Sequence, residues 1–182
     1  MCSSDLMIGR MNSDLANAFG NLAQRTLSII QKNCEGKVPK PGAFASEDAA
    51  LTKAAHDLLP TLRELMAEPA FHRALTTIWE VIAEANRYID TAAPWSLAKT
   101  DRARMETVLY TLVETIRVLA ILTQPFMPTS VGRILDQLAV PNEARNFAAL
   151  GHALKPGTPL PKPEGVFPRY VEPGAEPVKG KK

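Results

Sequence analysis

Apolar side chains recur at steps of three and four residues through the first 150 positions of the chain. This spacing places them on one face of an α-helix. Five such stripes follow one another, and their first clear members are Leu15, Leu51, Phe71, Met105 and Val131. Because no strand or hairpin pattern interrupts these stripes, the sequence predicts an all-α fold, an antiparallel helical bundle.

Capping residues and prolines indicate where these helices begin and end. The first helix is expected from Asn12 to about Gln31. Ser46, with two acidic residues directly behind it, is the expected N-cap of the second helix, which Pro60 should kink or divide. The remaining expected limits are a start near Pro69, an end before Pro94, a start at Asp101, a stop at Pro125 and Pro128, and one or two turns after Pro141.

The composition changes after residue 150. Residues 151–182 contain 7 of the 15 prolines, and six basic side chains against three acidic ones give this segment a net charge of +3. The preceding 150 residues carry a net charge of −1. We therefore expect a helical domain over residues 1–150 and an extended, Pro-rich tail over 151–182 that forms no core of its own. Its aromatic segment, residues 166–170, is a candidate for docking onto a surface.

The apolar pattern also bears on where the protein is found. No run reaches the 18 apolar residues that a membrane span needs, since Glu114 and Arg117 interrupt the most apolar stretch. The N-terminus lacks the apolar segment of a secretory signal. Cys2 and Cys34 have neither the spacing of a zinc site nor that of a disulfide framework. A cytoplasmic location without contact to a membrane is therefore expected.

Catalytic patterns are scarce in this chain. Its three histidines lie far apart in sequence, and none of the common nucleophile, metal or phosphate-loop motifs occurs. The carboxylates of Glu47 and Asp48 stand where helix capping explains them, and those of Glu80 and Glu84 fit a solvated helix face. We therefore expect no catalytic residue, no metal site and no cofactor site within these residues.

Two groups of polar and aromatic residues are candidates for binding. Asn21 and Arg25 lie four residues apart, so both project from one helix face and offer donors and an acceptor that suit nucleic-acid bases. The alternative is ordinary helix surface. Asn86 and Asp90 precede Trp95, which follows the end of the third helix. Its indole either stacks on an unpaired base or folds back as a hydrophobic plug.

The C-terminal anticodon-binding domain of methionyl-tRNA synthetases resembles this chain in four ordered runs, MNSDLANAFGNLAQR, ANRYIDTAAPWSLAK, QPFMP and VFPRY. The resemblance extends from about Met11 to Tyr170. Other class I synthetases share the helical architecture and the proline-flanked Phe126-Met127 pair. The combination of GNLAQR with APW is what distinguishes the methionine enzymes.

This resemblance implies roles for single residues. Asn21 and Arg25 match residues that hydrogen-bond the first anticodon bases, and Trp95 matches the residue that stacks on the wobble cytosine. Asn86 and Asp90 match further positions on that surface. The implied partner is the CAU anticodon loop of methionine tRNA. The near-neutral helical region fits a protein that reads a few bases better than one that wraps the phosphate backbone. The resemblance also gives Phe167 and Tyr170 a role in docking onto the catalytic domain.

The catalytic part of that family has no counterpart in this chain. Motifs like HIGH and KMSKS, which build the nucleotide site of these ligases, are absent. The resemblance therefore implies a fragment of a methionine–tRNA ligase that is inactive alone. ATP binding, and zinc binding in some members, belong to the missing catalytic region. Two alternatives stay open: the anticodon domain of another class I synthetase, and a helical interaction module that binds no RNA.

Overall fold

The computed structural model of the chain describes residues 3–170. Its helices are α1 (Ser3–Arg10), a π-helix (Met11–Gly20), α2 (Asn21–Asn33), α3 (Ser46–His56), α4 (Leu58–Ala67), α5 (Phe71–Ala92), α6 (Pro94–Thr100), α7 (Arg102–Thr123) and α8 (Pro128–Gln137). Two short 3₁₀ turns follow at Asn142–Ala144 and Phe147–Gly151. In the described part of the chain the only β pairing is one isolated bridge. The predicted all-α bundle is confirmed.

The first helical segment begins earlier than predicted. It starts at Ser3 and continues without a break to Asn33, so Asn12 lies inside it. No proline stops the chain in this region, and an ion pair of 2.9 Å between Arg10 and Asp14, one turn apart, supports it. Two side chains of α5 donate to backbone carbonyls of the π-helix, the Trp79 indole to Asp14 at 3.2 Å and Asn86 to Ala18 at 3.4 Å.

The second predicted helix divides as expected. α3 ends at His56 and α4 begins at Leu58. Pro60 has no N–H to donate to the His56 carbonyl four residues earlier, so the helix cannot run straight through. The predicted cap at Ser46 is wrong, because the N-cap is Ala45. The Asp48 carboxylate, at the third position of the helix, accepts the Ala45 N–H at 2.8 Å, which is the reciprocal hydrogen bond of a capping box.

The core is organised around α7. This helix packs against α2, α3, α5, α6 and α8, and every side chain from Thr107 to Thr123 is buried. The stretch includes two charged residues, Glu114 and Arg117, which form an ion pair with each other. Arg117 also donates to the Leu150 carbonyl at 2.9 Å. The charges that interrupt the apolar run therefore belong to the bundle interior. No helix within residues 3–170 has the length and apolarity that crossing a membrane requires.

The described part of the tail, residues 152–170, contains no helix and lies against the bundle. Val38 donates its N–H to the Thr158 carbonyl at 2.9 Å. The tail residues buried in the same core as the helices are Leu154, Leu160 and Val166. Residues 171–182 lie outside the described residues, and the division of the chain at residue 150 stays a prediction.

Candidate nucleic-acid interface

Three of the predicted residues meet around the Arg25 side chain. Arg25 projects from α2, and its Nη2 lies 2.7 Å from Oδ1 of Asp90 near the end of α5. Its guanidinium carbon lies 5.3 Å from the ring centre of Trp95, at the start of α6. This distance is typical of a cation–π contact. Three helices therefore converge on one arginine, which keeps 31% of its side-chain surface exposed.

The backbone between α5 and α6 explains why Trp95 stays at the surface. α5 ends at Ala92, and Ala93 adopts a left-handed conformation with φ 44° and ψ 58°. Such a conformation is costly for a residue with a Cβ and turns the chain sharply. Pro94 then begins α6 and is buried, while Trp95 keeps 44% of its surface exposed. The structure therefore places the indole outside the core and not in a hydrophobic plug.

Asn21 lies one helical turn before Arg25, as its spacing predicts. It begins α2, and its side chain is exposed. Within the described residues the side-chain amide of Asn21 makes no hydrogen bond, whereas the Arg25 side chain contacts both Asp90 and Trp95. An exposed amide with both its donor and its acceptor available can pair with the edge of a base. Asn21, Arg25 and Trp95 together present hydrogen-bonding groups beside an aromatic face.

Asn86 occupies a different environment from the other four residues. It lies on α5 one turn before Asp90, and its side chain is half-buried. Its Nδ2 donates to the Ile82 carbonyl at 2.9 Å and to the Ala18 carbonyl at 3.4 Å. The NH₂ group of the side-chain amide therefore helps to hold α5 against the first helical segment. Asn86 supports the surface on which Arg25 and Asp90 meet, and its NH₂ group is directed at the bundle.

The charges at this surface compensate each other. The positive charge of Arg25 faces the carboxylate of Asp90, and the Asp90 side chain is largely exposed. The aromatic face of Trp95 adds stacking area without charge. Such a surface suits unpaired bases, which single-stranded RNA presents for stacking and for hydrogen bonding at their edges. Among residues 3–170, no three His, Cys, Asp or Glu side chains are grouped so as to hold a metal ion.

The contacts of Arg25 were not predicted from the sequence. Asp90 lies 65 residues away along the chain, and Trp95 belongs to yet another helix. Helical spacing relates residues three or four positions apart, so no local pattern carries information about these pairs. The sequence did indicate that Trp95 lies at a junction between helices, because helices usually end before a proline and Pro94 directly precedes it.

Comparisons with known proteins show the family to which the chain belongs. Residues 38–177 match the family model described as the anticodon binding domain of methionyl tRNA ligase. The methionine–tRNA ligase of Mesorhizobium japonicum is 53% identical over 176 residues, which are 95% of this chain and 34% of the relative. That of Mycobacterium bovis is 48% identical over 183 residues, covering 98% of this chain and 35% of the relative. The chain thus spans about a third of the length of these relatives.

Solved structures give the same result. The ligand-free methionyl-tRNA synthetase of Mycobacterium tuberculosis superposes with a TM-score of 0.92 at 47% identity, over 94% of this chain and 36% of that protein. The same enzyme in complex with methionyl-adenylate gives a TM-score of 0.89 at 48% identity, over 91% and 33% of the two chains. The fold, the matched family model and the sequence identity agree, and this chain therefore belongs to the family of anticodon-binding domains of methionyl-tRNA ligases.

Proposed function

We propose that this chain recognises the CAU anticodon loop of methionine tRNA through Asn21, Arg25 and Trp95. The observation that carries the proposal is the arrangement of these side chains. A half-exposed indole lies under the guanidinium of Arg25, and the amide of Asn21 stands one turn away on the same helix. Stacking combined with edge hydrogen bonds is how proteins read single-stranded RNA loops.

Each residue has a distinct part in this proposal. Trp95 stacks on the wobble cytosine, as the family resemblance implies, and contributes most of the contact area. Arg25 and Asn21 hydrogen-bond the edges of the first anticodon bases. Asp90 orients the guanidinium through its 2.7 Å ion pair, so the fork of donors is fixed before RNA binds. Asn86 keeps α5 in register with the first helical segment.

We further propose that the chain acts as one part of a cytoplasmic methionine–tRNA ligase, an aminoacyl-tRNA synthetase that joins methionine to tRNA with ATP. That chemistry belongs to the two thirds of the relatives that this chain does not cover. Zinc, which some members of the family bind, would belong to the same uncovered part, as the resemblance implies.

The surface offered to the remaining part of such an enzyme is apolar. A groove of about 930 Å³ runs between the first helical segment and α5, and its apolar lining includes Met7, Met11, Leu15, Leu75, Trp79 and Met127. Phe167 is turned toward the bundle, where its ring centre lies 6.2 Å from that of Phe19. Of the two aromatics expected to dock, Tyr170 is thus the one with an exposed ring. We propose that Tyr170 and this groove contact the catalytic part.

Replacement of Arg25 by glutamine should weaken binding of a CAU stem-loop by about 5- to 150-fold, equivalent to about 1–3 kcal/mol. The variant loses the donor fork, the cation above Trp95 and the partner of Asp90 together. Titration of a fluorescently labelled RNA with wild-type and variant chains measures the change. Arg63→Gln on α4 removes an exposed arginine elsewhere and should leave affinity within twofold. Equal losses in both variants would contradict the role given to Arg25.

The comparisons favour neither of the two alternatives, the anticodon domain of another class I synthetase and a helical module that binds no RNA. All relatives and structures named above are methionine enzymes, which supports the methionine assignment over another class I synthetase. The other alternative, a helical interaction module that binds no RNA, would give no function to the exposed Trp95 indole, the exposed Asn21 side chain and the arginine that contacts the indole.

A further inference from the structure

Two exposed lysines continue the surface that carries Arg25 and Trp95. On α2, positions 21, 25, 28 and 32 follow each other at steps of four and three, so Ser28 and Lys32 extend the face of Asn21 and Arg25. On α6, Lys99 lies four residues after Trp95 and extends the face of the indole in the same way. All three added residues are exposed.

The helices α2 and α6 lie side by side and run in the same direction. Trp95, at the start of α6, contacts Arg25 in the first half of α2. Arg102, just after the end of α6, is close enough to act electrostatically on Cys34 and Glu35, just after the end of α2. Lys32 and Lys99 therefore both lie beyond the Arg25–Trp95 pair, toward the same end of the two helices. Along the helix axes they lie about 10 Å beyond Arg25 and about 6 Å beyond Trp95, respectively.

The charge along this strip, defined by Ser28, Lys32 and Lys99, is positive. Neither α2 nor α6 contains an acidic residue, and neither lysine pairs with a carboxylate among the described residues. The acidic side chains nearby are engaged in contacts of their own: Glu35 with Lys37 at 3.0 Å, Glu106 with Arg102 at 2.9 Å, and Asp101 with the Arg104 N–H at 2.9 Å. A chain whose helical region is near neutral overall thus has two unneutralised cations beside the proposed base-reading site.

We propose that Lys32 and Lys99, with Ser28 between them and Arg25, bind the phosphodiester backbone of the RNA strand that leaves the anticodon. The proposal rests on the function proposed above. One nucleic-acid strand carries a charge about every 3.4 Å of helix axis, so a strip about 10 Å long spans up to about three phosphates. Such contacts set register and affinity without reading sequence. The strip would therefore hold this strand in place while Asn21, Arg25 and Trp95 bind the anticodon bases.

The salt dependence of binding tests this proposal in the whole chain. The double variant Lys32→Gln/Lys99→Gln is titrated with a CAU stem-loop between about 50 and about 200 mM salt. We expect the slope of log affinity against log salt to become shallower by about one per lysine. We expect the same change for a stem-loop with an altered anticodon, so the ratio between the two RNAs should stay as in the wild type.

The matched control is Arg63→Gln/Arg73→Gln, which removes two exposed cations from α4 and the start of α5, neither of which pairs with a carboxylate within residues 3–170. Its salt slope should equal that of the wild type. A lysine variant with an unchanged slope would overturn the strip, and so would one that loses the preference for CAU. If the wild type prefers no anticodon while the lysine variant still has the shallower slope, the base-reading function fails and the strip stands.

Discussion

Replacement of Trp95 by alanine is expected to lower the affinity for a CAU stem-loop by about 5- to 150-fold. This corresponds to the roughly 1–3 kcal/mol that stacking of one base on an aromatic side chain contributes. The loss should be specific to binding, because the indole keeps 44% of its surface exposed and takes no part in the buried core. The neighbouring Pro94, which is buried, keeps the helix junction in place in the variant. Thermal unfolding should therefore change by only a few degrees.

Two measurements are needed together, a titration with labelled RNA and a thermal unfolding curve. Phe71→Ala is the matched control, since Phe71 is also an exposed aromatic residue but lies at the opposite end of α5. That end is about 28 Å along the helix from Asp90. The control should leave RNA binding unchanged. A Trp95→Ala variant that unfolds at a much lower temperature but binds RNA normally would make the indole a packing residue and contradict its proposed role.

Replacement of Asp48 by asparagine is expected to lower the free energy of unfolding by about 3 kcal/mol. Its buried carboxylate joins three helices: it belongs to α3, pairs with Arg104 of α7 and accepts the Tyr88 hydroxyl of α5. It also accepts the Ala45 N–H at 2.8 Å. Removing one member of a buried ion pair costs about 3–5 kcal/mol. The lower figure applies because 24% of the Arg104 side chain is exposed.

The pH dependence of stability is the control for the Asp48→Asn prediction. Burial opposes ionisation of Asp48, but hydrogen bonds from Arg104, Tyr88 and Ala45 outweigh it and lower the pKa of the carboxyl. The stabilisation is therefore complete above the unfolded pKa, near 4, and is lost as the pH falls through the lower folded value. Urea unfolding should show a large difference between wild type and variant at pH 7 that narrows in acid.

A neighbouring carboxylate provides the matched variant for Asp48. Glu47 pairs with the same Arg104 at 3.2 Å but is mostly exposed. Exposed ion pairs contribute little, so Glu47→Gln should change stability by less than about 1 kcal/mol. Equal destabilisation by the two substitutions would contradict the importance given to the buried network. A wild-type to Asp48→Asn difference that persists unchanged in acid would contradict the assigned cause.

The helices were predictable because their signals are local. Prolines indicated the division at Pro60 and the end of α5 before Pro94, and a capping residue indicated the start of α7 at Asp101. The early start at Ser3 was missed because the first residues contain no strong apolar stripe. The Ser46 cap was wrong because the helix begins one residue earlier, with Ala45 as the N-cap and its N–H bound by the Asp48 carboxylate. Residue type alone favours Ser over Ala as an N-cap, so the tertiary contacts of Asp48 decided the position here.

The features that could not be predicted from the sequence depend on contacts between residues far apart in the chain. The sequence places Asn21 and Arg25 on one face, but nothing local pairs Arg25 with Asp90 or stacks it on Trp95. The buried pair of Glu114 and Arg117 is a similar case. Its two members are only three residues apart, yet the carbonyl that completes the site belongs to Leu150. Backbone groups brought together by folding decide whether such charges can be buried.

The preference for the CAU anticodon is the central claim, and one pair of titrations tests it most directly. The whole chain is titrated with two stem-loops that differ only in the wobble base, cytosine in one and uracil in the other. We predict that the cytosine RNA binds more tightly by about 5- to 150-fold, or about 1–3 kcal/mol, and that Arg25→Gln, which removes the edge-reading donors, reduces this difference. Equal affinity of the wild-type chain for both RNAs would contradict the claim.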